Sequence, residues 1–377
     1  MGAGPLPVSH RAPAGRHPPR PPIAISPVDE AARTAAAARQ AQLVKPPGGL
    51  GRLEELAIWL AGVTGDERPE VRARVVVAAA DHGVAAQGVS TYPQAVTGQM
   101  LATFLAGQGA VAVLAREVGA GLVLVDAGVA ADTTALDVVR TGLRPSRDVT
   151  REPALDVGEV AVAVDTGREL AAQAARDQIT VLVGGEMGTA NTTAATCLAA
   201  LLTGREAGGL VGPGAGLDAE GLRRRRIVVE RALALHGPVA RGPLGALRRV
   251  GGGEIAVLCG LAIGAGEHGL GYVCDGLDAT AAAAVAAAVE PDLLPRLLAG
   301  HRSPEPGHGA LLEHLGLDPV LDLGVRLGDG SGALAAVALL RLAAAAHAGM
   351  ATFAEAAVEG EAAPAGATPA GAAPAAT

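Results

Sequence analysis

The sequence contains almost no aromatic residues and few cysteines. Tryptophan, tyrosine and phenylalanine together account for 1% of its 377 residues, although half of the residues are hydrophobic. The core must therefore be built from leucine, valine, isoleucine and alanine, which closely packed helices accommodate. The three cysteines, Cys197, Cys259 and Cys274, are far apart and form no C-x-x-C pair. This pattern argues against a disulfide framework and gives no metal signature, so we interpret them as buried thiols in a reducing compartment.

An excess of positive charge is also absent. The formal net charge is −8, which argues against general nucleic-acid binding. The basic cluster, residues 223–226, is a run of four arginines within a helical pattern that also holds Glu220 and Glu230. We interpret at least two of the four as solvated, with a phosphate contact by one or two of them as the alternative.

Neither a secretory signal nor a good membrane-spanning segment is recognisable. Residues 1–22 are rich in proline, arginine and histidine and predict a disordered leader, and the alanine-, proline- and glycine-rich residues 359–377 predict a disordered tail. Two apolar stretches are rejected as spans, because 279–289 is too short and 332–350 contains Arg341 and His347. We expect a cytoplasmic protein that binds no membrane and no nucleic acid.

Short apolar runs alternate with alanine- and leucine-rich helical patterns along the chain. The runs occupy 74–80, 122–125, 179–183, 270–274 and 321–327, and each ends at an acidic residue beside glycine. This alternation predicts an α/β fold, a parallel sheet with helices on both faces. Ligands bind outside the carboxyl ends of such strands, so the acidic glycine turns should converge on one crevice.

Two glycine-rich segments lead into helical patterns. The first, GGEMGTANTT at 184–193, would let a backbone approach a ligand, and Asn191, Thr192 or Thr193 could cap the helix that follows. An ordinary tight turn explains it equally well. The second, GPGAGLD at 212–218, precedes a helix capped by Asp218, with a proline–glycine linker as the alternative. Together they favour a phosphorylated ligand, although neither is a P-loop or a G-x-G-x-x-G fingerprint.

Three further polar segments are candidates for function. The long loop at 81–100 follows a buried strand, and its His82 is better explained as a structural histidine bonded to the backbone than as a base. Asp329 lies between glycines, where partial desolvation would raise its pKa and make it a usable base; a helix cap is the alternative. Residues 300–308 predict a surface loop that serves as a dimer contact, a lid or a plain connector.

Taken together, these segments resemble the nicotinate-nucleotide–dimethylbenzimidazole phosphoribosyltransferase family. The resemblance covers about residues 25–357 in the expected order, and the ordered series is specific although each motif alone is weak. The matching motifs are KPPGGLG at 45–51, DHG at 81–83, STYPQ at 90–94, GEMG at 185–188, NTT at 191–193, GPG at 212–214, GLD at 216–218, GG and EIA within 251–256, DG at 275–276, HRS at 301–303 and RLG at 326–328.

The resemblance implies an architecture and a reaction. It implies a Rossmann-like sheet domain at 71–334, a small helical domain formed by 23–70 and 335–358, and a homodimer without metal or redox cofactor. The reaction is that of a glycosyltransferase, more narrowly a pentosyltransferase, in cobalamin biosynthesis. The phosphoribosyl group of nicotinate mononucleotide passes to 5,6-dimethylbenzimidazole or a related base, giving α-ribazole 5′-phosphate and nicotinate.

The resemblance also implies roles for individual residues. Asp329 occupies the position of the family's catalytic base, and Glu186 would lie near the ribose. Ser90, Tyr92 and Gln99 would bind the benzimidazole. The remaining substrate-binding candidates are Gly188, Asn191, Thr192, Thr193, Gly214, Gly216, Arg225, Glu254 and Leu327.

Some positions depart from the family pattern, and two other hypotheses stay open. A diverged paralogue could bind nucleotide or base with little turnover, or act as a partner subunit on another base. A nicotinamide-dependent dehydrogenase is disfavoured because the first strand is not followed by G-x-G-x-x-G. The departures are Asp329 for glutamate, Ala190 for glycine, Ala215 for threonine, Arg225 for lysine and Gly253 for an aromatic residue.

Overall fold

The computed structural model describes residues 23–359. The predicted leader at 1–22 and all but the first residue of the predicted tail lie outside the described residues. The helices and strands, in chain order, are α1 Glu30–Gln42, α2 Arg52–Thr64, β1 Ala73–Ala79, α3 Ala95–Leu105, α4 Ala110–Glu117, β2 Gly121–Asp126, β3 Val139–Arg140, α5 Val157–Arg176, β4 Val181–Met187, α6 Asn191–Thr203, α7 Ala219–His236, α8 Gly242–Val250, α9 Gly253–Glu267, β5 Gly271–Cys274, α10 Leu277–Val289, β6 Leu297–Ala299, α11 Pro306–Leu315, α12 Ser331–Gly349 and α13 Phe353–Ala356.

The strands form one parallel sheet in the order β3-β2-β1-β4-β5-β6. This is the doubly wound, Rossmann-like order, so the predicted fold class is confirmed. The order reverses between β1 and β4, where Ala79 is in register with Met187. A ligand crevice is therefore expected beyond the carboxyl ends of these two central strands.

Most of the predicted strands are present, but the end of one strand was wrong and another predicted strand is not formed. The strand predicted at 179–183 runs on to Met187, so Glu186 lies inside β4 rather than in a turn after it. The run at 321–327 is not a strand; it makes one isolated bridge, from Leu321 to His301. Leu323 and Leu327 are 64% and 51% exposed, because this segment crosses the surface instead of entering the sheet. The short strands β3 and β6 were not predicted.

Side chains of the central strands alternate between the two sheet faces, as the period of a strand requires. In β1, Val76 and Ala78 join a core beneath α5, α6, α9 and α10, whereas Val75 and Val77 join a core beneath α2, α3, α4 and α12. Both faces are thus covered, and the continuous apolar runs of the sequence follow from this two-sided burial.

Helices α5 and α9 approach each other closely because both carry glycine at the contact. Every residue of α9 is buried. A Cβ added at Gly260 would collide with the Val164 carbonyl oxygen, and one added at Gly167 would collide with that of Val257. The scarcity of aromatic residues matches this packing, in which backbone rests against backbone.

The two ends of the described chain meet. Arg39 in α1 donates hydrogen bonds to the carbonyl oxygens of His347 and Met350, and Leu43 forms an antiparallel bridge with Thr352. Leu56 in α2 and Leu340 in α12 belong to the core of one sheet face. These contacts join the segments near both ends of the described chain and pack them on the sheet; the division into a helical domain of 23–70 and 335–358 stays a prediction.

Two described segments, 95–117 and Ser331–Gly349, are long and apolar enough to cross a membrane by length and composition. A core helix passes the same test. The first segment is two helices, α3 and α4, interrupted at 106–109. Half of the most apolar window of the second is buried inside the protein, and α12 packs on α2 and α4.

Candidate active site

A cavity of about 390 Å³ opens beyond the carboxyl ends of β1 and β4. It lies where the strand order predicts a crevice. Ten of the predicted site residues line it: Ser90, Tyr92, Glu186, Gly188, Asn191, Thr192, Gly214, Arg225, Leu327 and Asp329. Four others do not: Gln99, Thr193, Gly216 and Glu254.

The Asp329 carboxylate is fixed by two helix starts. Its Oδ1 accepts a hydrogen bond from the Ser331 N–H (3.1 Å) at the start of α12, and its Oδ2 accepts one from the Val111 N–H (3.3 Å) in the first turn of α4. Burial raises the pKa of Asp329, while the bonds from Ser331 and Val111 oppose this rise. Asp329 therefore bonds to N–H groups in the first turns of two helices and lines the cavity, although the N-cap of α12 is Gly330; its role as a base stays a prediction.

Glu186 lies beside the loop that carries Asp329. The Glu186 N–H donates to the Gly328 carbonyl oxygen (2.7 Å), and a Cβ at Gly185 would collide with the Asp329 carbonyl oxygen. Glycine at 185 is thus what allows the two acidic segments to meet. Burial raises the pKa of Glu186 well above its usual range, and the nearby carboxylates of Asp278 and Glu254 raise it further.

Helix α6 begins at Asn191, but none of the predicted capping side chains occupies its N-cap. That position is Ala190, in the left-handed conformation with φ 74°, and no side chain of the described residues caps it. The Asn191 amide instead donates to the Glu186 carboxylate, and its oxygen accepts from the Thr192 N–H (2.9 Å). Thr193, in the first turn of α6, is fully buried.

The 212–218 loop is held by Arg225 from within α7. Asp218 caps this helix, as predicted, by accepting from the Gly221 N–H (2.8 Å). The buried Arg225 donates to the carbonyl oxygens of Gly212 (2.7 Å) and Val89 (2.9 Å). Arg225 thereby ties the glycine-rich loop to the loop that contains Ser90, while the other three arginines of the cluster are exposed.

Glu254 and His82 form a buried pair behind the cavity. His82 Nε2 lies 2.7 Å from Glu254 Oε1, and His82 Nδ1 lies 3.1 Å from Ser146 Oγ. His82 is a structural histidine, as interpreted, but its ring bonds to side chains rather than to the backbone. The Glu254 carboxylate and the neighbouring acids raise the pKa of His82 against the opposing effect of its complete burial.

One end of the cavity is apolar. Val96, Met100, Phe104 and Met187 line it, together with the ring of Tyr92, which is 54% exposed. Val96, Met100 and Phe104 follow one another at intervals of four residues and so lie on one face of α3. This spacing is the sequence signal that could have predicted the apolar end. This end suits a flat apolar ring.

Two further carboxylates were missed. Asp278, in the first turn of α10, and Glu305, just before α11, both line the cavity. Burial and the Glu254 charge raise the pKa of Asp278 to about 7, although His82 and Arg225 oppose the rise. Asp278 follows the Asp275-Gly276 turn, so its place after a predicted strand was the available signal.

The segment 300–308 is not the surface loop that its prolines and polar residues predict. His301, Ser303, Glu305 and His308 are all buried. They turn inward because His308 accepts from the Ser303 N–H (2.9 Å) and contacts Thr280 Oγ1 (3.1 Å). The exposed residues alternate with them.

Within residues 23–359, no cluster of three or more histidine, cysteine, aspartate or glutamate side chains is arranged to hold a metal ion. The three cysteines are buried free thiols, and burial raises the pKa of each to about 12. They therefore carry no thiolate near neutral pH.

Comparisons with known proteins agree with the geometry. The family model described as phosphoribosyltransferase matches residues 25–358. The nicotinate-nucleotide–dimethylbenzimidazole phosphoribosyltransferase of Pseudomonas aeruginosa is 49% identical over 334 residues, covering 88% of this chain and 95% of that protein. The enzyme of the same name from Azotobacter vinelandii is 49% identical over 339 residues, covering 89% and 96%. The crystal structure of the Thermus thermophilus enzyme of this name is 42% identical, covers 88% of this chain and 100% of that one, and superposes with a TM-score of 0.83.

Proposed function

The chain belongs to the nicotinate-nucleotide–dimethylbenzimidazole phosphoribosyltransferase family, and we propose that the cavity beyond the carboxyl ends of β1 and β4 is where it carries out the reaction of that family. It transfers the phosphoribosyl group of nicotinate mononucleotide to 5,6-dimethylbenzimidazole, a pentosyl transfer in cobalamin biosynthesis. The observation that carries the assignment of the site is the convergence of Glu186 and Asp329 on this one cavity.

The reaction needs one proton acceptor and a precise alignment. The bond from the ribose C1′ to the pyridinium nitrogen breaks, and nicotinate leaves without needing an acid. A bond from C1′ to a benzimidazole nitrogen forms, and the other ring nitrogen loses its proton. In-line attack on an oxocarbenium-like ribose requires both rings to be held in place. A carboxylate is a suitable acceptor for the proton.

We assign the apolar end of the cavity to the benzimidazole and Asp329 to its proton. The ring would lie against Met100 and Phe104, beside Ser90 and Tyr92, with Asp329 facing its N–H. The two backbone N–H groups that bond to Asp329 fix the direction of its carboxylate. Its raised pKa strengthens it as a base.

Glu186 is assigned to the ribose and the glycine-rich loops to the phosphate. The carboxyl groups of Glu186 and Asp278 line the cavity, and a sugar that develops positive charge would favour their ionised forms. At the other end, Gly188, Asn191 and Thr192 surround the start of α6, where helix N–H groups attract an anion. Gly214 and Arg225 also line the cavity, and we assign them to the phosphate as well.

Two of the five departures from the family pattern have structural accommodations. A Cβ at Gly253 would collide with the Ala127 carbonyl oxygen, so the close approach of these two segments leaves no space for an aromatic side chain. Arg225 reaches two carbonyl oxygens at once, which a lysine with its single ammonium group does less readily. These changes do not favour a non-catalytic paralogue.

Purified protein given nicotinate mononucleotide and a panel of benzimidazoles should release nicotinate and form the α-riboside phosphate, both measured by chromatography. No release with any base would refute the proposed use of this site. We further propose a cytoplasmic homodimer without redox cofactor; sedimentation at several concentrations tests the dimer, and a single 37.1 kDa species would contradict it.

A further inference from the structure

The glycine-rich loop at 212–216 already holds an anion, which belongs to the protein itself. Glu305 Oε1 accepts a hydrogen bond from the Gly214 N–H at 2.8 Å. Glu305 Oε2 lies so close to Gly212 that a Cβ there would collide with it. The carboxylate therefore sits in the concavity of the loop, at the end of the cavity assigned to the phosphate.

This carboxylate is incompletely satisfied in its site. Glu305 is 8% exposed, and its buried Oε2 has no hydrogen-bond partner among the described residues. Burial raises the pKa of Glu305, while the Gly214 N–H and the charges of Arg225 and Arg326 oppose the rise. A buried acceptor without a partner is unfavourable.

A hydrogen-bond donor beside the 212–216 loop, the Nε of Arg225, also lacks a partner within residues 23–359. Arg225 is 2% exposed and lines the cavity, yet its buried Nε has no partner within the described chain. The arginine uses its Nη1 and Nη2 groups to bond to Gly212 and Val89 and does not bond to Glu305. The Glu305 carboxylate therefore occupies one donor of this site, the Gly214 N–H, and leaves another donor, Arg225 Nε, without a partner in the described structure.

We propose that Glu305 holds the place of the substrate phosphate on the 212–216 loop and is displaced when the nucleotide binds. This inference rests on the proposed function. A phosphate has more acceptor oxygens and more charge than a carboxylate, so it can engage the Gly214 N–H together with the guanidinium edge of Arg225. Anions that cannot outcompete Glu305 are thereby kept out of the cavity.

The test measures binding of inorganic phosphate by calorimetry to the full chain and to Glu305→Gln and Glu305→Ala. Both variants remove the competing charge, so both should bind phosphate about tenfold tighter than the unmodified protein. Glu313→Gln is the matched control, because it removes one charge from α11, the helix that Glu305 precedes, at an exposed site paired with Arg205. The affinity of Glu313→Gln for phosphate should equal that of the unmodified protein. Equal or weaker binding by both Glu305 variants would overturn the proposal.

Hydrogen exchange of the unmodified protein supplies a measurement that needs no variant. Phosphate should increase exchange in 300–308, as Glu305 is released, and decrease it in 212–218. Increased protection of both segments would overturn the proposal. Turnover of nicotinate mononucleotide by the same preparation separates the two ideas. If the unmodified protein turns over nicotinate mononucleotide but the Glu305 variants bind phosphate no more tightly, the role of Glu305 is refuted and the proposed function stands. If the variants bind phosphate more tightly but no turnover occurs, the proposed function is refuted and the role of Glu305 stands.

Discussion

The Asp329 carboxylate is bonded to the backbone N–H of Val111, which lies 218 positions away along the chain, at 3.3 Å. A second bond from Ser331 completes a position in which the starts of α4 and α12 both stabilise negative charge. Burial acts in the opposite direction and raises the pKa of the group. The result is a carboxylate that is rigidly oriented and still a competent proton acceptor.

Asp329→Asn should lower kcat by about a hundredfold or more, because an amide cannot take the proton of the benzimidazole. The KM for nicotinate mononucleotide should change little, since this end of the cavity contacts the other substrate. Steady-state nicotinate release measures both. Asp329→Glu is the companion variant and should raise the rate, because its carboxylate reaches one methylene further. An unimpaired asparagine variant would rule out Asp329 as the base.

The pH profile of kcat should show an acid limb that belongs to Asp329. Its pKa is raised, so the carboxylate becomes protonated, and the rate falls, at a pH above the ordinary aspartate value of about 4. The surrounding Asp275 charge contributes to the rise, and the Ser331 and Val111 N–H groups oppose it. The residual activity of Asp329→Asn should lack this limb. A limb of unchanged position in that variant would assign it to another group.

Asp278 should make the protein less stable as the pH rises from about 4 to 7. Its folded-state pKa is about 7, so between these values the unfolded chain loses a proton that the folded chain retains. The stability lost is on the order of 4 kcal/mol at most. Burial and the charges of Glu254 and Glu305 raise the pKa of this carboxyl, and the charges of His82 and Arg225 lower it. Urea unfolding at pH 5 and 8 should show a smaller loss for Asp278→Asn, and an equal loss would contradict the assignment.

Ala190→Gly should stabilise the protein by about 1 kcal/mol, since a left-handed backbone is unfavourable for alanine and free for glycine. Ala190 has φ 74° at the start of α6. Ala345→Gly, at an exposed position inside α12, is the control and should destabilise by about the same amount. The midpoints of urea unfolding measure both. Destabilisation by both substitutions would show that the conformation at 190 is not strained.

Removing one partner of the buried His82–Glu254 pair should be severe. Glu254→Ala leaves an uncompensated buried ring and should lower the free energy of unfolding by about 3–5 kcal/mol. The double variant with His82→Ala should lose much less than the sum of the two single losses, because the pair is in contact at 2.7 Å. A double-mutant cycle by chemical denaturation measures this coupling, and additive losses would contradict it.

Much of this architecture was predictable because local signals and the tertiary structure agreed. The apolar runs of β1, β2 and β5 are buried on both faces, so their composition alone marked them. Segment 321–327 is also rich in leucine and valine, but Leu323 and Leu327 are exposed. Composition alone therefore does not tell whether an apolar run is buried. Short strands such as Val139–Arg140 depend on a neighbour for their pairing and leave no periodic signal.

The site was predictable only where its residues come at the end of an apolar run. Glu186 and Asp329 were found in this way, although Glu186 lies within β4 and the run before Asp329 is not a strand. Glu254 was expected to touch substrate, but its partner His82 lies 172 positions away, and sequence gives no indication that the two bury each other. Glu305 was not predicted for the same reason, since the 212–216 loop that it contacts lies 91 positions away along the chain.

The backbone-to-backbone seam between α5 and α9 has a dynamic consequence. Gly167 and Gly260 leave no gap there, so we expect the two helices to move together and to hold β4, on which α9 packs, in place beneath the cavity. Entry and exit of ligands then depend on the rim, which the loops around 88–94, 212–217 and 300–305 form. The rim, and not the helix pair beneath it, is therefore where the cavity opens to solvent.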